Sequence, residues 1–251
     1  MGAILYVVLV ICVLVYWDFA MKLRMAISVR VGRNFMDRRS VHISRILFRM
    51  ACVYAGLRLD LNRPLNRHLP PQFIIISNHQ SLADIPLLIQ MFPKHRLRFV
   101  AKQVLAHYFP TVSSLLRYQR HALISRHGDF SLTYRALRKL ARSTTPGIVP
   151  VVFPEGTRSK SGSVGRFHEG AARILLQVRP LPVVTVAIDG AFQFSHLRTV
   201  LHRIRGSTYH ATITSVRDAP QGKDAILSMV TECRNEIVEQ LDSWRARRER
   251  H

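Results

Sequence analysis

Cysteine is scarce and unpatterned here: Cys12, Cys52 and Cys233 are the only three in 251 residues, far apart, with no CxxC pair. Neither a disulfide framework nor a zinc site is expected, and three small apolar side chains in a reducing compartment account for them. Acidic residues are also sparse, with 15 Asp and Glu facing 37 Lys and Arg for a formal net charge of +22. That imbalance points to an anionic partner: nucleic acid, a bilayer surface or an acidic carrier protein. Other patterns are missing too. There is no GxSxG, since GSVG at 162–165 does not fit it, no paired histidines of HExxH, no C2H2 spacing and no RNP-like aromatic run. Their absence weighs against a serine hydrolase, a zinc hydrolase and a nucleic-acid-binding module. No internal repeat or low-complexity linker breaks the chain.

Charge is absent from the opening, and this decides among the anionic partners in favour of a membrane. Gly2 to Trp17 is dominated by Ile, Leu, Val and Tyr, and Asp18 is the first charged side chain. Sixteen residues, extended to Met21 if Asp18 is tolerated at the interface, are at the short end of what crosses a hydrocarbon core of about 30 Å. The segment either spans or lies partly inserted. It has no basic n-region and no small-residue cleavage pattern, as a signal peptide would. From Lys22 to Arg67 eleven Lys and Arg face only Asp37 and Asp60, so this flank is expected on the cytoplasmic side, with the rest of the chain. Ile46 to Leu57, bounded by Arg45 and Arg58 and interrupted by Arg49, suits a helix in the headgroup layer. The expected organisation is a membrane-associated helical segment over 1–60 and a second domain over 61–251.

That second domain reads as α/β, with a mixed, mostly parallel sheet flanked by helices. Phe73 to Ser77 is a continuous β-branched run, as in a strand buried on both faces, followed by a helix through about Met91. Arg98–Ala101, Ala122–Ser125, 148–153 and Val183–Ile188 are further strands. Phe130–Arg142 is a helix with Phe130, Tyr134, Leu137 and Ala141 on one stripe. A helix from about Gly170 to Gln177 follows. Ala225–Arg247 closes the chain as an amphipathic helix with Ile226, Val230, Cys233, Ile237, Leu241 and Trp244 along one face.

Two segments carry the chemistry: SNHQSLADIPLL at 77–88 and VPVVFPEGTRS at 149–159. In the first, His79 and Asp84 stand five positions apart, a spacing that lets a carboxylate orient an imidazole as a general base. Positions i and i+5 do not stack on one regular helix, so His79 is expected at or before the helix start, with Asp84 in its second turn and Ser77 or Asn78 as cap. The second is a buried strand opening abruptly into a loop suited to an anion. Arg158 offers a planar fork, and Gly156 lets backbone amides approach. Glu155 is out of place beside an anion, so it holds the loop or meets a hydroxyl. A base next to an anion cradle fits transfer to a hydroxyl on a phosphorylated substrate.

NHQSLAD and FPEGTRS resemble the two signature blocks of the glycerolipid acyltransferases, the group containing 1-acylglycerol-3-phosphate acyltransferase. The resemblance runs from about Phe73 to Gly190. It implies that His79 deprotonates an acceptor hydroxyl as it attacks an acyl thioester, with Asp84 fixing the tautomer. It also implies that Glu155, Gly156, Thr157 and Arg158 bind the acceptor, and that Arg126 and Lys102 add positive charge around it. In so basic a chain, Arg126 and Lys102 are equally readable as solvated or membrane-facing charges. The implied partners are acyl-CoA or an acyl carrier protein as donor, a lysolipid acceptor and an anionic membrane, with no cofactor and no metal. The chain departs from the family pattern at Arg120, His121 and Ser125, ahead of Arg126, and at His168, where many members carry lysine. A less charged phosphate site would leave other lysolipids open, such as lyso-ornithine lipid. A catalytically silent scaffold of the same fold is the remaining rival, and the intact His79 and Asp84 discriminate against it.

Overall fold

The computed structural model of the chain describes residues 2–62, 69–108, 112–125, 130–195 and 197–248. Two long helices open it, α1 (Gly2–Ile27) and α2 (Val29–Ala55). They part at Ser28, whose extended backbone leaves the helical region and whose Oγ accepts the Arg30 amide at 3.2 Å as an N-cap. The next elements are β1 (Arg58–Asn62), β2 (Ile74–Ser77), α3 (Asp84–Met91), β3 (Arg96–Lys102), α4 (Leu105–Tyr108), α5 (Val112–Tyr118) and β4 (Ala122–Ile124). Then come α6 (Phe130–Arg142), β5 (Ile148–Val152), α7 (Gly170–Val178), β6 (Val183–Asp189) and a 3-10 turn over Ala191–Phe194. The chain closes with α8 (Leu197–Arg203), β7 (Thr208–Arg217) and α9 (Gly222–Arg248).

The seven strands form one sheet in the order β1-β7-β6-β2-β5-β3-β4. Every neighbouring pair is parallel except β6 with β7, so the sheet is mixed and mostly parallel, as expected. The central strands read as unbroken apolar runs because helices cover both faces. Alternate side chains divide between two cores. Ile75, Val151 and Val186 meet Phe48 and Ala51 of α2 and Leu87 and Leu88 of α3 on one face. Ile74, Ile76 and Val152 meet Leu137 and Leu140 of α6, Leu175 of α7 and Val230 and Ile237 of α9 on the other.

Several expectations shift in detail. The apolar run from Ile46 to Leu57 is the second half of α2 continued to the edge of the sheet, and it is divided. Phe48, Ala51, Ala55 and Leu57 enter the core, while Val53 and Tyr54 are exposed. The buried stripe of α6 is Leu137, Leu140 and Ala141, whereas Phe130 is 72% exposed and Tyr134 37%. β1 was not expected and crosses residue 60, joining the sheet beside β7, which was not expected either. α1 is apolar and long enough to cross a membrane. It packs along α2, with Met21 buried against Met36 and Ile43. Its other side exposes Ile4, Val8, Ile11, Val15, Phe19 and Leu23, a stripe along its length.

Candidate active site

The chain leaves β2 at Ser77, and Asn78 pins the exit to the neighbouring strand. Its Nδ2 donates to the Ile188 carbonyl of β6 at 2.8 Å, and its Oδ1 accepts the Ile188 amide at 2.9 Å. His79 therefore emerges at the carboxyl end of a central strand, where open α/β sheets carry their sites.

Asp84, fully buried, gathers the turn that carries His79 around its carboxylate. Its Oδ2 accepts His79 Nδ1 at 2.7 Å, the Gln80 amide at 2.7 Å and the Ser81 amide at 2.9 Å. Its Oδ1 accepts the Tyr209 hydroxyl. With a carboxylate on Nδ1 the proton sits there, and Nε2 is left as the basic nitrogen of a side chain 15% exposed. Asp84 stands at the first residue of α3, so it lies in the first turn rather than the expected second. A tight turn over 81–84, closed by Asp84 N on Ser81 O at 3.1 Å, takes up the intervening residues. Neither Ser77 nor Asn78 caps α3; Asn78 is bound to β6 instead. Burial, then the Asp84 charge and the hydrogen bond to it, push the Tyr209 phenol well above its ordinary range, so it remains a donor.

The second block folds over the first. The Ser159 amide donates to the His79 carbonyl at 2.7 Å. Glu155 turns inward: Oε1 accepts the His79 amide at 2.9 Å and Oε2 the Gly165 amide at 2.9 Å, so both oxygens hold the loop. Burial raises its pKa, and those two amides pull it partly back. Gly156 makes the turn at a φ of 61°, a left-handed conformation that suits glycine. Thr157 is exposed. Arg158 is half-buried and spans to the Ser195 carbonyl at 3.3 Å through Nη1. Lys102 ends β3 on the same edge of the sheet, and Arg126 lies outside the described residues.

Under His79 runs a row of rings. Phe153 stacks on the imidazole at 4.2 Å and 14°, Phe99 lies 6.2 Å beyond it, and His121 is 5.8 Å further. His121 Nδ1 accepts the Phe99 amide at 2.9 Å, and burial, helped by the Arg98 guanidinium, brings its pKa down to about 3. It is a neutral structural ring, not an added charge. His168 is exposed, and its amide ties the loop to the Pro154 carbonyl at 2.9 Å. Among the described residues no three His, Cys, Asp or Glu side chains cluster as a metal site would require.

Residues 63–189 match the model of the Acyltransferase family, just over half of the chain. The chain belongs to that family. Among curated Acyltransferase relatives, the 1-acyl-sn-glycerol-3-phosphate acyltransferase of Cocos nucifera is 33% identical over 118 residues, 47% of this chain and 37% of that protein. The alpha form of the same enzyme from Homo sapiens is 26% identical over 173 residues, 65% of this chain and 56% of that protein. The chain thus spans roughly a third to a half of these relatives. Among solved structures, the 1-acyl-sn-glycerophosphate acyltransferase PlsC of Thermotoga maritima superposes with a TM-score of 0.69 at 21% identity, covering 96% of this chain and 95% of that one. The Acyltransferase fold therefore extends beyond the matched segment to nearly the whole chain, including both opening helices.

Tyr209 was missed at the sequence level because β7 carries no motif and reaches the site only by pairing with β6. Gln80 and Asp189 had a detectable signal: Gln80 lies three residues past the end of buried β2, in the segment that carries His79, and Asp189 is the polar last residue of buried β6.

Proposed function

We propose that this protein is a membrane-associated acyltransferase that moves an acyl group from acyl-CoA or an acyl carrier protein to the free hydroxyl of 1-acyl-sn-glycerol 3-phosphate, giving phosphatidate. The observation that carries this reading is the His79–Asp84 pair, with the 154–159 loop hydrogen-bonded directly to the His79 main chain. His79 Nε2 takes the acceptor hydroxyl proton as that oxygen attacks the thioester carbonyl carbon. Asp84 holds the ring and stabilises the imidazolium. The tetrahedral intermediate collapses with cleavage of the C–S bond, and the leaving thiolate takes the proton from His79. No nucleophilic serine or cysteine is needed. Arg158, with the backbone around Gly156 and Thr157, receives the acceptor phosphate, and Lys102, together with Arg126 as the family resemblance implies, supplies further positive charge for the acceptor. Glu155 contributes by fixing the loop. α1 lies along α2 and gives its exposed stripe to the bilayer, with the active site on the cytoplasmic side.

The test is acyl transfer by the reconstituted protein from labelled acyl-CoA and acyl carrier protein to lysophosphatidate, other lysophospholipids and lyso-ornithine lipid. General-base catalysis contributes about 10²–10⁴-fold, so His79→Ala and Asp84→Asn are expected to reduce transfer by that order while membrane association persists. Arg158→Ala is expected to raise KM for lysophosphatidate far more than it disturbs folding. Transfer confined to another lysolipid would reassign the acceptor. Transfer insensitive to His79→Ala would sink the mechanism.

A further inference from the structure

Asp189 ends β6 with a side chain that is 0% exposed, and charge so deeply buried demands partners. It has three. Gln80 Nε2 donates to Oδ1 at 3.0 Å, Arg245 Nη2 donates to the same oxygen at 3.1 Å, and Arg248 Nη2 donates to Oδ2. Both arginines come from the last turns of α9. Arg245 also donates to the Gly162 carbonyl at 2.7 Å, in the segment that continues the phosphate loop. Gln80 is itself 0% exposed, and its Oε1 accepts the Phe192 amide at 3.3 Å. The main-chain amide of the same Gln80 is one of the donors that fix Asp84. Gly190 secures the far side. Its φ is 108°, and a Cβ there would stand 2.1 Å from the Thr208 carbonyl oxygen, so the turn after Asp189 admits little movement.

Pairing a buried carboxylate with partly exposed arginines is a poor means of gaining stability, because desolvation of the acid offsets much of the attraction. What it supplies is placement. We propose that Asp189 is a positioning residue for the His79–Asp84 pair, and that Arg245 and Arg248 make the end of α9 part of the catalytic scaffold. The line of force runs from α9 through Asp189 to the Gln80 side chain, and from the Gln80 amide to Asp84. This rests on the acyl-transfer reading above.

The experiment compares the wild type, Arg245→Ala/Arg248→Ala, and the same pair combined with Asp189→Asn. The double variant leaves the buried carboxylate without a cation, with Gln80 as its remaining side-chain donor, so its Tm falls. Its kcat falls too, by up to about 100-fold if the loop moves by about 1 Å, with KM for donor and acceptor unchanged. The triple variant removes the stranded charge, so Tm recovers while kcat stays low. If kcat recovers together with Tm, the cluster is structural and the proposal fails. Deuterium exchange of the 78–84 peptide provides a readout independent of turnover. The Gln80 and Ser81 amides are expected to lose protection in both variants while β2 and β6 keep theirs. Unchanged protection overturns the positioning role whether or not the protein transfers acyl groups. Variants that show this exchange pattern beside a wild type that transfers nothing would refute the reaction and uphold the positioning.

Discussion

Asp84 takes four donors, from His79, Gln80, Ser81 and Tyr209, and these satisfy its fully buried carboxylate. Each donor removes some of the freedom with which the carboxylate could turn away from the imidazole. Tyr209→Phe deletes one of them and almost nothing else. Because a hydrogen bond to a charged group is worth about 1.5–3 kcal/mol, the variant is expected to unfold more easily by that order and to show a lower kcat, with a smaller loss than Asp84→Asn. Denaturant titration beside initial rates checks both; an unaltered kcat would show that three donors suffice. Residues at this scale were legible where chemistry compresses into short spacing, as in NHQSLAD and FPEGTRS. Tyr209 was not legible, since it stands 125 residues from its partner and meets it only through the strand order.

Elements were legible according to how completely they are buried. β2, β5 and β6 declare themselves because both faces are covered, and the expected bounds of α6 match the observed ones. β1, with the sequence RLDLN and alternate residues exposed, reads as part of a basic flank, and β7 mixes threonines, a histidine and an arginine into its pattern because one side is only half covered. β4 is short, and His121 extends its reach by accepting the Phe99 amide from β3. The burial of that ring, with the Arg98 charge beside it, makes stability depend on pH. The folded pKa of His121, about 3, lies below the ordinary 6.5, so the unfolded chain binds a proton that the folded chain refuses. The contribution is intact above about pH 6.5 and declines as pH falls toward 3, with a limiting slope of about 1.4 kcal/mol per unit. His121→Asn keeps an acceptor near the Phe99 amide and cannot titrate. Its unfolding free energy is expected to fall less steeply than that of the wild type between about pH 6.5 and 4.5; parallel slopes would remove His121 from the account of acid sensitivity.

At the scale of the whole molecule, two features carry the proposed attraction to an anionic membrane and differ in how salt acts on them. The net charge of +22 attracts anionic headgroups through a field that a Debye length of about 3 Å suppresses at 1 M salt. The apolar stripe of α1, running from Ile4 through Val8, Ile11, Val15 and Phe19 to Leu23, gains by leaving water, and salt does not weaken that gain. If α1 is the anchor and the charge only steers, wild-type protein sediments with both anionic and zwitterionic vesicles and stays bound at 1 M salt. Val8→Asp/Ile11→Asp/Val15→Asp alters exposed positions on the face away from α2, so the fold is expected to persist and transfer to lysophosphatidate dispersed in detergent to continue. The same variant is expected to bind only anionic vesicles at low salt and to come off at 1 M, with transfer to vesicle-embedded acceptor falling accordingly. Retention of this variant on zwitterionic vesicles at high salt would place the anchor elsewhere on the molecule. The first place to look would then be the exposed Phe130, Leu132 and Tyr134 at the start of α6.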